Sequence, residues 1–220
     1  MAGNSKINTI KQNARLKQFI GWLMAIMFPL AAKGLADMTP LAIIAVIAYW
    51  LFGGIVLRGI IDTRFPYLNI KLYIVKKELA ATLVLTAAGI VLYVIHYSPQ
   101  QNDALDILLG SFIFVLVNSI IEPLIWANIH DLSGCRIKIF GYLAVAINIF
   151  LMYSLFWCNY CRFLPVDYPG NAILQVLIFG IPVLIYEKSG DITIWNLQHI
   201  LYSMVMLYAG GFDGSKLMQF

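Results

Sequence analysis

The chain has 220 residues, of which 61% are hydrophobic and only 12% are charged, with a formal net charge of +4. Soluble domains carry about 25% charged residues, and one water-soluble core of this size could not bury so much apolar surface. The basic residues flank apolar runs, which argues against a nucleic-acid partner and for a lipid bilayer. The composition therefore predicts a single integral membrane domain over residues 1–220.

Seven apolar runs come close to the length of about 20 residues that a membrane-spanning helix needs. The first, at about residues 19–36, follows a basic N-terminal arm and contains Pro29. It could be a signal peptide, but Lys33 interrupts the expected cleavage region, and the sequence favours a retained helix. The other runs cover about residues 40–57, 79–97, 105–128, 138–158, 171–186 and 193–211. The predicted fold class is an all-α bundle of about seven transmembrane helices, or six if the first is removed.

The distribution of lysine and arginine predicts how these helices are oriented. If the N-terminus is cytoplasmic, every Lys and Arg lies in an inner segment except Lys33, Arg162 and Lys216. Cytoplasmic loops of membrane proteins carry such an excess of basic residues. The pattern therefore predicts a cytoplasmic N-terminus, an external C-terminus and a plasma membrane location, as in a bacterial inner membrane.

The longest connection, residues 58–78, alternates apolar and polar residues between Tyr67 and Ile74. A period of two is typical of a strand or of another extended segment. Its lysine and arginine residues would face anionic headgroups if the segment lay on the membrane surface. The sequence favours such a lipid-facing loop over a strand that docks a partner.

Two ionisable residues fall inside predicted helices, where a charge costs several kcal/mol and therefore marks a candidate functional site. Glu122 in the fourth helix and His199 in the seventh each lie about six residues from the inner helix end. At 1.5 Å per residue, both are ~9 Å deep. Pro123 follows Glu122 and removes a backbone hydrogen bond there. A carboxylate and an imidazole at equal depth could pair, exchange a proton or bind a cation.

Three neutral polar residues lie deeper, at ~15 Å by the same helical rise: Asn118, Asn148 and Ser203. Asn118 and Glu122 share one helix face because they are four residues apart, and the same holds for His199 and Ser203. Two facing polar stripes would line a hydrophilic path for an ion or a proton. The alternative is that these groups hold the helices together through hydrogen bonds.

Cys158 and Cys161 form a C-x-x-C motif at the outer end of the fifth helix. The motif resembles the cysteine pair of membrane thiol oxidoreductases, which implies a redox-active or disulfide-bonded pair. Against a catalytic role, the pair lies at a helix C-terminus, whose dipole raises the thiol pKa. The third cysteine, Cys135, lies on the opposite side of the membrane and cannot complete a second outward pair.

Other chemistries are disfavoured by the residues that the sequence offers. Cys135 and His130 are too few ligands for a structural zinc site, and no metal is predicted. His96, His130 and His199 lie at different depths, which excludes a bis-histidine haem, and no cofactor is predicted. No catalytic residue is predicted, and the sequence favours a protein that is not an enzyme.

Three functions remain open. The first is a small transporter or an ion or proton channel subunit, with a path through the fourth, fifth and seventh helices. The second is a structural membrane subunit of a larger assembly, such as a secretion or defence complex. The third is a membrane thiol-disulfide oxidoreductase. The expected partners are the lipid bilayer and either further copies of the chain or other membrane subunits.

Overall fold

The computed structural model describes residues 13–39, 41–61, 64–96, 103–161 and 168–218, which are mostly helical and contain no strand. Among these residues, five helices are long and apolar enough to cross a membrane. We number them α1 Ala14–Met38, α2 Ala42–Ile61, α3 Lys76–His96, α4 Ala104–Ser133 and α5 Lys138–Asn159. The prediction of an all-helical membrane protein is confirmed to this extent. Most of the basic N-terminal arm, Arg162 and the predicted end of the third helix at residue 97 lie outside the described residues.

The sixth and seventh predicted runs form helices that do not meet the length and composition expected of membrane spans. The sixth is broken into α6 Tyr168–Gly180 and α7 Val183–Ser189. Pro182 stands at this break, because a proline supplies no backbone donor to a continuing helix. The seventh, α8, runs over Thr193–Val205, continues as a π-helical segment over Met206–Gly210 and is followed by α9 Gly214–Met218. The described residues thus support five spans by these criteria, and not seven.

The second half of α4 is the centre of the bundle. Nearly all residues of Ser119–Ser133 are buried, and this segment contacts α1, α2, α5, α7 and α8. Large aromatic side chains fill the space around it, and Trp126, Trp157, Trp195 and Tyr153 have almost no exposed surface. Every side chain from Glu122 to His130 is therefore buried within the protein.

Three helical segments widen to π-helical geometry within the described part of the chain. They are Trp50–Val56 in α2, Gly110–Asn118 in α4 and Met206–Gly210 after α8. In α2, the carbonyl oxygens of Gly53 and Gly54 each accept a hydrogen bond from Asn128 Nδ2 at 2.9 Å. Because π-helical turns occur frequently at functional sites, these segments direct attention to the side chains beside them.

The connection between α2 and α3 forms no strand in its described part, residues 64–75. It has no regular secondary structure up to Lys71 and then makes one 3₁₀ turn at Leu72–Ile74. The Ile192 amide donates to the Pro66 carbonyl at 2.8 Å, which holds the segment against the turn before α8. The strand that the alternating pattern allowed is not found in these residues, and the lipid-facing segment stays a prediction.

Candidate functional site

The carboxylate of Glu122 lies inside the bundle and has no exposed surface. Its Oε1 accepts a hydrogen bond from Trp157 Nε1 at 2.9 Å. Its Oε2 accepts one from Asn118 Nδ2 at 2.9 Å and one from the Tyr153 hydroxyl at 3.3 Å. These donors are neutral, and no lysine or arginine of the described residues pairs with the carboxylate. Hydrogen bonds to neutral side chains therefore replace the water that the group would bind outside the protein.

His199 lies beside this carboxylate and is also fully buried. Its Nε2 is 3.7 Å from Glu122 Oε2 and 3.2 Å from the Tyr153 hydroxyl. The imidazole stacks on the Trp126 ring, with centroids 5.3 Å apart and an interplanar angle of 18°, and the Phe179 ring lies 4.3 Å away on centroids. Its Nδ1 is buried and makes no hydrogen bond. The Tyr153 hydroxyl thus lies within hydrogen-bond distance of both the acid and the base.

Ser203 belongs to a contact next to this network. Ser119, on α4 between Asn118 and Glu122, donates from its hydroxyl to Ser203 Oγ at 3.3 Å. Both serines are fully buried. Pro123 supplies no amide hydrogen to the Ser119 carbonyl, which loosens the backbone of α4 at this level.

Asn148 belongs to a separate group of hydrogen bonds. Its Oδ1 accepts from the Tyr49 hydroxyl and from Trp126 Nε1, each at 3.1 Å. Its Nδ2 donates to the Ala25 carbonyl at 3.2 Å. Within the residues that the structure describes, no hydrogen bond joins this amide to Glu122. The Asn148 side chain links α5 to α1, α2 and α4, which is the arrangement expected of a group that holds helices together.

Aromatic donors complete the site, and the sequence analysis gave them no role. Trp50 in α2 donates from Nε1 to Asn118 Oδ1 at 2.9 Å, so that Asn118 lies between Trp50 and Glu122. Tyr153 and Trp157 contribute the other donors to this site, and Tyr49 donates to the neighbouring Asn148. A buried indole or phenol usually finds a partner for its polar atom, and in lipid no water supplies one. That requirement is the signal by which the sequence could have identified them.

The sequence-predicted residues therefore divide into one network and its neighbours. Glu122, Asn118 and His199 come together with Tyr153 and Trp157, whereas Asn148 and Ser203 lie in adjoining contacts. The network combines a carboxylate, a hydroxyl and an imidazole. No group of three or more His, Cys, Asp or Glu side chains in the described residues could hold a metal ion. Such a network can hold a proton and pass it between its members.

Cys158 and Cys161 lie outside this network, at and just beyond the end of α5. Both are thiols in the structure. The Cys158 thiol donates to the Ser154 carbonyl at 2.9 Å, and Cys161 is buried with its backbone in an isolated bridge to Phe212. Burial raises the pKa of the Cys161 thiol well above its usual value. Because the thiolate is the reactive form, this environment does not favour redox chemistry at Cys161.

A second polar cluster lies near the α2–α3 connection, and the sequence analysis missed it. Arg58 is 5% exposed and donates from Nη1 to Asp131 Oδ2 at 2.9 Å and from Nε to the Arg64 carbonyl at 2.9 Å. The Tyr186 hydroxyl donates to the same Asp131 oxygen at 2.6 Å. The cluster joins α2, α4 and α7 through these hydrogen bonds.

No family model, curated protein or solved structure matches this chain.

Proposed function

We propose that this chain is a membrane protein that binds and transfers a proton at Glu122, as a small transporter or as a channel subunit. The observation that carries the proposal is that both carboxylate oxygens of Glu122 face hydrogen-bond donors. A glutamine offers an acceptor at only one of these positions, and its amide nitrogen would face a donor at the other. Helices can be held together by uncharged residues at lower cost. The site therefore favours a carboxylate, which can also bind a proton.

Tyr153 connects the two groups that can carry the proton. Its hydroxyl can donate to an ionised Glu122 or to an unprotonated Nε2 of His199, because it lies within hydrogen-bond distance of both. Rotation of one O–H bond is enough to exchange these partners. Transfer between Glu122 and His199 then needs no movement of a helix.

A complete path requires the bundle to open on either side of this pair. Toward the Arg58 cluster, Ile125 and Trp126 are fully buried and separate Glu122 from Asn128. Asn128 in turn bonds to the π-helical carbonyls of α2. A change of that π-helical segment would move both Trp50, which bonds to Asn118, and the carbonyls that bond to Asn128. We propose that this segment couples the site to the end of the bundle.

We also propose that α6–α7 and α8 cross the membrane, which gives seven crossings. The buried face of α8 carries the polar residues Asn196, Gln198 and His199. In a helix at a water-exposed surface, the polar residues would be on the outward face instead. Its outward residues are apolar: Leu197, Leu201, Met204 and Tyr208. Lipid is the solvent that suits this arrangement. The distribution of Lys and Arg supports a cytoplasmic N-terminus and an external C-terminus in a plasma membrane, as in bacteria.

Labelling of single cysteines with an impermeant maleimide tests these crossings in a cysteine-free background. Asp103→Cys and Asp213→Cys should react in intact cells, whereas Arg136→Cys and Lys188→Cys should react only after the membrane is permeabilised. Equal reactivity of Lys188→Cys and Asp213→Cys in intact cells would contradict a crossing by α8.

Proton flux into liposomes tests the proposed function. Purified wild-type protein should pass protons along an imposed pH gradient, and Glu122→Gln should abolish the flux while circular dichroism and elution volume stay unchanged. Glu187→Gln is the matched control, because Glu187 is ion-paired with Lys138 at the end of α7. It should retain the flux. If the wild type passes no protons under pH or potential gradients, the alternative of a structural subunit in a larger assembly is favoured.

A second candidate function is acid–base catalysis inside the membrane, such as hydrolysis of a peptide or ester bond. The observation that favours it is the buried Nδ1 of His199, which has no hydrogen-bond partner although its ring is held between aromatic rings. A carboxylate and an imidazole bridged by a phenol can remove and return a proton. Cleavage of a membrane-embedded reporter peptide, lost in both Glu122→Gln and His199→Asn, would support this function.

A further inference from the structure

The described part of the α2–α3 connection exposes an apolar surface outside the candidate membrane spans. Leu68 is 85% exposed and Tyr73 is 74% exposed, although residues 64–75 lie between α2 and α3. The exposed apolar side chains of this segment are Phe65, Leu68, Ile70, Leu72, Tyr73 and Ile74. A group of exposed apolar side chains so close together in the sequence is expected of an interaction site with protein or membrane. Because the segment joins two spans, it lies where the headgroups meet the water.

The same segment is basic. Arg64 and Lys71 lie within it, and Lys76 and Lys77 begin α3. Two lysines at a helix N-terminus are unfavourable for the helix dipole, so the stability of α3 does not explain them. The single acidic residue of 64–78 is Glu78, and Lys188 of α7 already pairs with it at 2.6 Å. Within the described residues, Lys71, Lys76 and Lys77 form no ion pair, so the charges of these three lysines are available to an anionic partner.

The protein fixes this segment before any partner binds. The Leu68 amide donates to Thr193 Oγ1 at 2.7 Å, and the Asn69 amide donates to the carboxylate of Asp191, which is 2% exposed. Leu68 has a φ of 61°, a left-handed conformation that leucine rarely adopts. These bonds hold a strained leucine outward instead of letting it fold back on the bundle.

We propose that residues 64–77 form a binding surface for anionic phospholipid, in which apolar side chains enter the acyl region and lysines contact the phosphates. Apolar insertion alone would not distinguish one lipid from another, whereas the lysine charges select anionic headgroups. The flat surface of a bilayer suits a short segment that exposes six apolar side chains between Phe65 and Ile74. This inference does not depend on proton transfer at Glu122.

A fluorophore at the tip of the surface tests the proposal. Leu68→Cys in a cysteine-free background is labelled with NBD and reconstituted in phosphatidylcholine liposomes with increasing phosphatidylglycerol. The emission should shift to the blue and become shielded from an aqueous quencher as phosphatidylglycerol increases. High salt should weaken the response, because screening reduces attraction between surface charges.

Charge reversal separates lipid charge from insertion. Lys76→Glu/Lys77→Glu should raise the phosphatidylglycerol midpoint, which is the phosphatidylglycerol content at which the NBD response is half complete. We expect an increase of about fivefold or more for each lysine that is replaced. The acidic replacements suit a helix N-terminus, so α3 should stay folded. Arg136→Glu is the matched control, since it removes an exposed basic residue from another connection, and it should leave the midpoint unchanged. The proposal is overturned if the probe is equally shielded without phosphatidylglycerol. It is also overturned if the quencher reaches the probe in every liposome, a result that would point to a protein partner.

Discussion

Gly21 of α1 faces the backbone of Ser133 at the end of α4 at contact distance. A β-carbon added to Gly21 would lie 2.5 Å from the Ser133 backbone nitrogen and 2.9 Å from Leu132 Cβ. Neither atom belongs to the flexible end of a side chain, so the helices themselves would have to separate. Small residues let transmembrane helices approach in this way.

Gly21→Ala should therefore lower the free energy of unfolding by about 1–3 kcal/mol, the usual cost of forcing an extra methyl group into a packed contact. Gly34→Ala is the matched control on the same helix, because a β-carbon there meets nothing within 4 Å. It should leave stability unchanged or raise it by about 0.4–1 kcal/mol. Thermal unfolding in detergent measures both, and equal effects would contradict the contact between α1 and α4.

Asn148→Ala should destabilise the bundle by ~2 kcal/mol, from three hydrogen bonds at about 0.6 kcal/mol each. The change leaves the Tyr49 hydroxyl, Trp126 Nε1 and the Ala25 carbonyl without their partner. Asn159→Ala is the control, since the side chain of Asn159 donates to the carbonyls of Leu155 and Phe156 in its own segment. Unfolding in sodium dodecyl sulfate compares the two. A larger loss for Asn159→Ala would contradict the role of Asn148 in joining four helices.

The Arg58–Asp131 pair should behave as a partly buried ion pair, because the side chain of Arg58 is 6% exposed and that of Asp131 is 31% exposed. Arg58→Met or Asp131→Leu alone should cost about 1–3 kcal/mol, less than for a fully buried pair, because solvent reaches Asp131. The double variant should cost less than the sum of the single changes. Lys33→Met, which breaks an exposed pair with Asp37, should cost less than about 1 kcal/mol. Additive effects of Arg58→Met and Asp131→Leu would show that the two groups do not stabilise each other.

The cysteines should differ in their reaction with maleimide. Burial raises the pKa of the Cys161 thiol, and each unit of increase lowers the thiolate fraction about tenfold at pH values below the pKa. At pH 8, Cys161 should react at least about tenfold more slowly than the exposed Cys135. The alkylation rate of Cys161 should keep rising at pH values at which the rate of an ordinary thiol no longer increases.

Alkylation of single-cysteine variants measures these rates. Rapid reaction of Cys161, or a disulfide between Cys158 and Cys161 that forms and breaks during turnover, would instead favour the thiol-disulfide oxidoreductase. A protein denatured in detergent gives the reference rate for each cysteine.

That Glu122 and His199 lie at the same level of the bundle could be predicted from the sequence, whereas side-chain direction could not. Glu122 and His199 were placed ~9 Å from the inner surface by counting residues along straight helices, and their side chains are 3.7 Å apart. The same counting put Asn148 at a similar depth to Asn118. It could not show that Asn148 turns toward Tyr49 and Trp126, because that depends on how α5 packs against its neighbours.

The Arg58–Asp131 pair and the aromatic donors escaped the sequence analysis for physical reasons. The predicted second helix ended at residue 57, so Arg58 was counted as a loop charge, whereas α2 continues to Ile61. Tryptophan and tyrosine count as apolar or interfacial in a hydropathy scan, although each carries one donor that must be satisfied when buried. In the bilayer each such donor needs an acceptor on another residue. A hydropathy scan scores residues singly and therefore does not detect these pairs.

The hydrogen bond from Trp157 to Glu122 gives the site its own optical signal. The emission of an indole depends on the charge beside it, and the carboxylate accepts the Trp157 N–H at 2.9 Å. Trp126 stacks on His199 on the other side of the same network. Gain or loss of a proton by either group therefore changes the surroundings of a tryptophan, and the ultraviolet fluorescence of the unlabelled protein can follow the occupancy of the site in real time.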